Sequence, residues 1–177
     1  MSLIQLKGIT HGFGGPPLLE EIDLTLDRGI RACLLGRNGT GKSTLLRIIS
    51  GETTPETGTC SIQKGCRIAF LPQELHGNIR GTVFEVVAEG LGAIGDLVRA
   101  YHATGARLQS AADPGTLRSL ERIQHELEAA GGWTTEQRIE AIISRLKLPS
   151  DSPFDELSGG VKRRTLLARA LVLEPDL

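Results

Sequence analysis

The stretch Leu34-Leu35-Gly36-Arg37-Asn38-Gly39-Thr40-Gly41-Lys42-Ser43-Thr44-Leu45-Leu46-Arg47-Ile48-Ile49-Ser50 decides the fold of this chain. An apolar run from Ala32 to Leu35 ends in Gly36, and an amphipathic segment follows Thr44. Between them lies the pattern G-x-x-x-x-G-K-[ST], with a buried strand expected before it and a helix after it. Glycines at 36, 39 and 41 let the backbone wrap tightly enough to aim N–H groups at phosphate oxygens, which a Cβ would obstruct. Lys42 then reaches the β- and γ-phosphates of a nucleotide and Ser43 can ligate Mg²⁺. The positive end of the following helix faces the anion. Arg37, Asn38, Thr40 and Thr44 complete the candidate phosphate loop. The bland alternative is a glycine turn ahead of a core helix.

Working outward, 177 residues suffice for one full core with a helical appendage. A net charge of −1 favours neither nucleic acid nor a membrane surface as a partner. Aromatic residues at 3% argue against an RNA-stacking platform. No apolar run is long enough to cross a bilayer, and the alternating N-terminus lacks the apolar stretch of a signal peptide, so a cytoplasmic protein is expected. Cys33, Cys60 and Cys66 have no metal-ligand spacing. Cys60 and Cys66 could approach across a hairpin, but reduced thiols are the expectation. The four histidines are scattered and none is assigned to a metal.

Upstream of the loop, Ser2 to Lys7 reads as a strand, residues 11–17 as a turn-rich loop, and Ile22 to Leu26 as a second strand closed by Asp27-Arg28-Gly29. Arg31 to Leu35 is expected as a central strand. Lys42 to Ser50 is a helix stopped by Gly51. Downstream, Thr59 to Gln63 and Arg67 to Leu71 read as a hairpin around Lys64-Gly65. From Thr82 onward apolar residues recur at helical spacing. Asp113-Pro114 is a strong helix start, an N-cap acid followed by proline. Thr134 with Gln137 resembles a capping box for another helix, ending near Pro149. The segment 96–147 is therefore two or three successive helices of mixed charge: a solvated hairpin on pattern alone, or a docking arm.

The second chemical motif is Leu157-Ser158-Gly159-Gly160, ahead of a helix through Leu166, Leu167, Ala170 and Leu171. Ser158 stands at an N-cap position and two glycines leave the first backbone N–H groups bare, a second helix start suited to an anion. The tetrapeptide is short, and a capped helix with no ligand is its default reading. Order gives it weight: a phosphate loop, then Gln73 at a strand end, then this glycine-rich start.

That combination resembles the ATP-binding cassette (ABC) superfamily along nearly the whole chain. The implied fold class is α/β: a P-loop NTPase core of ABC ATPase type, with an N-terminal antiparallel β subdomain and an inserted α-helical subdomain. The expected layout is a single, incomplete nucleotide-binding domain. It comprises 1–80 as β subdomain and phosphate-loop core, about 81–156 as helical subdomain with an arm-like insert, and 157–177 as signature motif and helix. The resemblance implies ATP and Mg²⁺ as cofactors. Gly36 to Thr44 bind phosphate, Gln73 senses Mg²⁺ and the γ-phosphate, and Ser43 with Gln73 serves the metal. Leu157, Ser158, Gly159 and Gly160 form a signature acting in trans on ATP held by another cassette. Phe13 becomes the ring that stacks on adenine, the alternative being a core aromatic.

Within the superfamily, Gly81 to Gly90 and the inserted helices are similar to the ABC-F proteins, especially their Uup-like branch. That resemblance implies a protein with two cassettes in one chain and no membrane domain, acting on or near the ribosome, its insert corresponding to the family's ribosome-touching arm. The insert's balanced charge departs from the basic excess of an rRNA-binding surface. The other implied reading is the ATP-hydrolysing subunit of a transporter with a separate transmembrane partner. The segment Leu173 to Leu177 resembles the entry to the strand that carries the family's Mg²⁺-binding Asp and catalytic Glu. Those residues and the switch His are absent from the chain, so a truncated N-terminal piece that binds ATP without hydrolysing it is expected.

Overall fold

The computed structural model of the chain describes residues 2–73, 79–110 and 113–177, which form two compact units. The first comprises residues up to Phe70 together with Pro175–Leu177, and the second Leu71–Glu174.

In the first unit, β1 (Ser2–His11) is the central strand of a three-stranded antiparallel sheet, between β2 (Leu19–Asp27) and β3 (Thr57–Ile62). Leu3, Ile4, Leu6 and Ile9 of β1 are buried, and against them pack Leu45, Ile48 and Ile49 of α1 (Lys42–Ser50). Breaks in the β1–β2 register fall between Leu6 and Ile9 and between Ile9 and His11. The first is a bulge: the Gly8 N–H is diverted to Asp23 Oδ1 at 2.7 Å, and Gly8 has a φ of +56°. Gly58 approaches so closely that a Cβ there would stand 2.4 Å from the Gly8 carbonyl oxygen, so only glycine fits. The α1 boundaries match the expected helix, and Gly51 ends it in the left-handed conformation, its N–H bonding to the Arg47 and Ile48 carbonyls.

Two strand expectations are corrected. Arg31 to Leu35 joins no ladder, and Leu34 and Leu35 are exposed at 45% and 84% rather than buried. An apolar run becomes a central strand only when neighbours supply hydrogen bonds on both sides. Among the described residues none pairs with it. Nor does Arg67 to Leu71 fold back on β3. Gln63 to Cys66 do make a turn, but β3 pairs with β1. The following segment bonds instead to the chain's last residues: Leu177 N–H to Arg67 O at 3.3 Å, and Ala69 N–H to Leu177 O at 2.9 Å. That alternation is the pattern of a parallel pair.

Asp176 fastens this pairing. Its Oδ2 accepts the Arg67 N–H at 3.0 Å and its Oδ1 accepts from Arg28 Nη2 at 2.7 Å. The Arg67 N–H bond, aided by the Arg28 and Arg67 charges, holds the carboxyl below the usual range although partial burial opposes it. The three cysteines are free thiols, and burial pushes the Cys60 thiol up.

The second unit is helical: α2 (Val83–Ala88), α3 (Ala93–Ser110), α4 (Pro114–Ala129), α5 (Gly132–Arg145) and α6 (Gly159–Leu171), with short 3-10 turns at Glu89–Leu91 and Phe154–Glu156. Val83, Val87, Val98, Leu127, Ile139, Ile143, Ala168 and Val172 form its core. Thr82 and Glu85 make a reciprocal capping box for α2. As expected, Asp113 caps α4, its Oδ1 accepting from the Gly115 and Thr116 N–H groups at 2.7 and 3.0 Å. The expected N-cap at Thr134 is corrected to Gly131, and α5 begins at Gly132. A Cβ at Gly132 would lie 2.2 Å from Leu127 Cδ1, so glycine lets α5 begin directly against α4. Thr134 instead donates its hydroxyl to the Gly131 carbonyl from within the first turn. Among the described residues no helix is long and apolar enough to cross a membrane.

Candidate functional site

The phosphate-loop candidates gather at the N-terminus of α1. Gly39 and Gly41 both have a φ of +84°, a region costly to residues with a Cβ. A Cβ on Gly41 would meet Leu19 Cδ2 at 2.7 Å and Leu18 Cγ at 3.1 Å, so this turn is seated on the start of β2. A Cβ on Gly36 would meet Thr40 Oγ1 at 2.9 Å. Thr40 donates its hydroxyl to the Arg37 carbonyl at 2.9 Å, and Lys42 Nζ donates to the Gly36 and Arg37 carbonyls at 2.8 and 2.6 Å. The ammonium therefore sits inside the curl of the loop.

No side chain caps α1 and no acid occupies its first turn. Thr44 is buried beneath the loop, whereas Ser43 is exposed beside Lys42. Residues 36–40 are exposed as well. A glycine-turned backbone, an uncapped helix start, an ammonium and an exposed hydroxyl fit a Mg²⁺-phosphate group. An apolar cavity of about 500 Å³ in the same unit, lined by Leu24, Leu34, Leu45, Ile49, Ile68 and Leu177, includes no residue of 36–44 and does not serve this chemistry.

Phe13 also belongs to this unit and is 74% exposed, which corrects the alternative of a core aromatic. It follows the end of β1 in a loop closed by the Leu18 N–H to His11 carbonyl bond at 2.9 Å. Its ring meets His11 edge to face, centroids 5.1 Å apart. His11, expected in the turn-rich loop, is the last residue of β1 and is buried. No pattern in the sequence marks that histidine, because its burial depends on the β1–β2 pairing.

In the second unit, Ser158 is the N-cap of α6, but its side chain makes no cap hydrogen bond. Gly159 and Gly160 are exposed, and a Cβ on either would meet nothing within 4 Å. Leu157 is half-buried against Phe154 and Leu166. Lys162 Nζ donates to the Asp155 carbonyl at 2.7 Å, bracing the first turn. Gln73 is exposed and lines, with Leu71, Pro72, Arg163 and Leu166, a cavity of about 300 Å³. The structure thus brings Gln73 beside the signature helix, a neighbour that spacing in sequence did not suggest. Among the described residues no group of three or more His, Cys, Asp or Glu could hold a metal ion, and His76 lies outside them.

Loop and helix together define a P-loop nucleotide-binding fold. The sequence profile of the ABC transporter family matches residues 19–177, and the chain belongs to that family. It is 38% identical over 176 residues to the ATP-binding protein Uup of Haemophilus influenzae, covering 99% of this chain and 27% of that protein. It is 30% identical over 173 residues to the energy-dependent translational throttle protein EttA of Mycobacterium tuberculosis, covering 97% and 31% respectively. The chain thus spans about a third or less of the length of these curated relatives, which carry the expected ABC-F resemblance. Among solved structures, a nucleotide-free ATP-binding cassette from an ABC transporter superposes with a TM-score of 0.62 at 25% identity, covering 99% of this chain and 66% of that one. The ATP-binding subunit of another ABC transporter gives 0.64 at 22%, covering 98% and 63%.

Proposed function

We propose that this chain is the ATP-binding cassette of an ABC-F type ATPase working on or near the ribosome in the cytoplasm. In this reading Gly36 to Thr44 hold the β- and γ-phosphates, with Lys42 as the point charge. Ser43 and Gln73 serve Mg²⁺, whose role when bound is to neutralise phosphate charge. Phe13 offers its exposed face to the adenine, and Leu157 to Gly160 act in trans on ATP held by a second cassette. Two features support the trans role. Gly159 and Gly160 have open space where a Cβ would stand, and Ser158 Oγ caps nothing in its own helix.

The observation that carries the translational reading is the likeness, along 97% of this chain, to a protein named as a translational throttle, together with the four α-helices α2 to α5 that the described residues place between Gln73 and the signature. A further relative, 30% identical over 183 residues, is named as a tylosin resistance ATP-binding protein, of Streptomyces fradiae. The transporter-subunit reading draws on the family's description and on the cassette structures.

The test is ATP-dependent co-sedimentation of the full-length protein with ribosomes. Retention with ATP, lost in Lys42→Ala and on replacing α3–α4 by a short linker, is the expected result. Ribosome-independent behaviour would overturn the reading. The 177-residue chain itself is expected to bind Mg-ATP and release essentially no phosphate at steady state, since none of its described residues is placed at the phosphate loop to activate a water. Turnover that disappears in Lys42→Ala would overturn that part.

A further inference from the structure

His11 presents a buried polar group without a partner. It is 8% exposed, and neither Nδ1 nor Nε2 has a hydrogen-bond partner. Leaving a buried polar group unpaired is costly, so each one a folded protein retains calls for a reason. The surroundings of His11 point to one. The imidazole meets Phe13 edge to face at 5.1 Å, the Phe13 ring is largely exposed, and the His11 carbonyl closes the loop through the Leu18 N–H. Leu18 and Leu19 in turn are the residues on which Gly41 of the phosphate loop is seated. One short segment therefore carries an exposed aromatic face, an unsatisfied imidazole and the backing of the phosphate loop.

We propose that His11 is the polar half of a base-recognition pair: Phe13 supplies the stacking face, and a His11 ring nitrogen pairs with the edge of the nucleobase. A neutral imidazole carries one donor and one acceptor. A purine with a 6-amino group presents the complementary acceptor at N7 or N1 and donor at N6. A 6-aminopurine nucleotide fits that pair in either imidazole tautomer, and His11 is the residue that distinguishes a base from a bare triphosphate. The Phe13 ring lies directly against the imidazole, so a base stacked on Phe13 is brought beside His11.

This inference rests on the reading of Phe13 as the base platform, and the experiment separates the two. Affinities of the full chain are measured by calorimetry for Mg-ATP, its 7-deaza and 6-desamino analogues, and Mg-tripolyphosphate. The proteins compared are wild type, Phe13→Ala, His11→Leu and His11→Asn, each checked for a single cooperative melting transition well above the assay temperature. His11→Leu is expected to weaken ATP about five- to tenfold and leave tripolyphosphate unmoved, with His11→Asn recovering part of the loss. At least one analogue is expected to bind wild type more weakly than ATP does, while binding His11→Leu as ATP does. That loss of discrimination is a coupling which packing alone does not produce. Equal analogue penalties in wild type and His11→Leu, or a tripolyphosphate loss matching the ATP loss, would overturn the role of His11. If Phe13→Ala leaves ATP affinity unchanged, the base platform itself fails, whatever His11 does.

Discussion

α1 and α6 both begin on glycine-rich turns, and in neither does a side chain cap the first turn. The glycines differ in cause. At α1, Gly39 and Gly41 hold a φ of +84°, and Gly41 is pressed against Leu18 and Leu19, so the fold itself requires them. At α6, Gly159 and Gly160 have no positive φ and no neighbour within 4 Å of a would-be Cβ. Nothing inside their unit asks for glycine there. One helix start is a built concavity whose shape is complete within one unit. The other is a bare approach with open space where each Cβ would stand, in keeping with the proposed role in trans. Similar motifs thus carry different physics: conformation in the first, access in the second.

The sharpest way to break that comparison is Gly41→Ala. The substitution forces an alanine into the left-handed region, at about 1–2 kcal/mol, and drives a methyl into Leu19, at about 1–3 kcal/mol. A loss near 3 kcal/mol in denaturant unfolding is expected, with ATP binding lost alongside. A loss below about 1 kcal/mol would show that the loop's shape does not depend on this residue.

How much of this was legible in the sequence follows the same division between local and distant causes. Helix α1 was readable to its end residues, because glycine before, glycine after and the apolar spacing between are all local signals. Asp113-Pro114 was readable for the same reason. Arg31 to Leu35 and Arg67 to Leu71 were misread, because a strand exists only through its partner: none of the described residues pairs with the first, and the second finds its partner far along the chain. Arg67 to Ala69 bonds to Asp176 and Leu177, more than a hundred residues away. The α5 start was placed three residues late, since the chemistry of Thr134 was visible but the Gly132 to Leu127 approach was not. His11 carried no signal at all. Its interest lies in burial without a partner, which only tertiary structure can create.

Gly160→Ala is the counterpart to Gly41→Ala, and its expected sign is opposite. An alanine in the first turn of α6 meets no steric obstacle and lowers the entropy of the unfolded chain, so stability rises by about 0.5 kcal/mol. Mg-ATP affinity of the chain alone is expected to stay at its wild-type value, while ATP-dependent association with a second cassette weakens. The comparison sharpens if stability and association move in opposite directions. It breaks if Gly160→Ala unfolds the chain, which would mean that glycine serves α6 internally after all.

The smallest effect belongs to a helix start that does have its cap, and it calibrates the two that do not. The Asp113 carboxylate accepts from the Thr116 hydroxyl and from the Thr116 and Gly115 N–H groups, and these bonds, led by the Thr116 side chain, hold its carboxyl below the usual range. A carboxyl lowered by folding contributes stability that is present above its unfolded value of about 3.9, and that stability is lost as pH falls through the lower folded value. Asn at the same position still caps but cannot titrate. Asp113→Asn is therefore expected to melt slightly below wild type near neutral pH, the gap closing as pH drops below about 3.9. Asp176 titrates in both proteins and cancels from the difference. A gap constant across that range would assign the effect to shape rather than charge. It would also remove the reason for treating the acid-free first turns of α1 and α6 as electrostatically open to an anion.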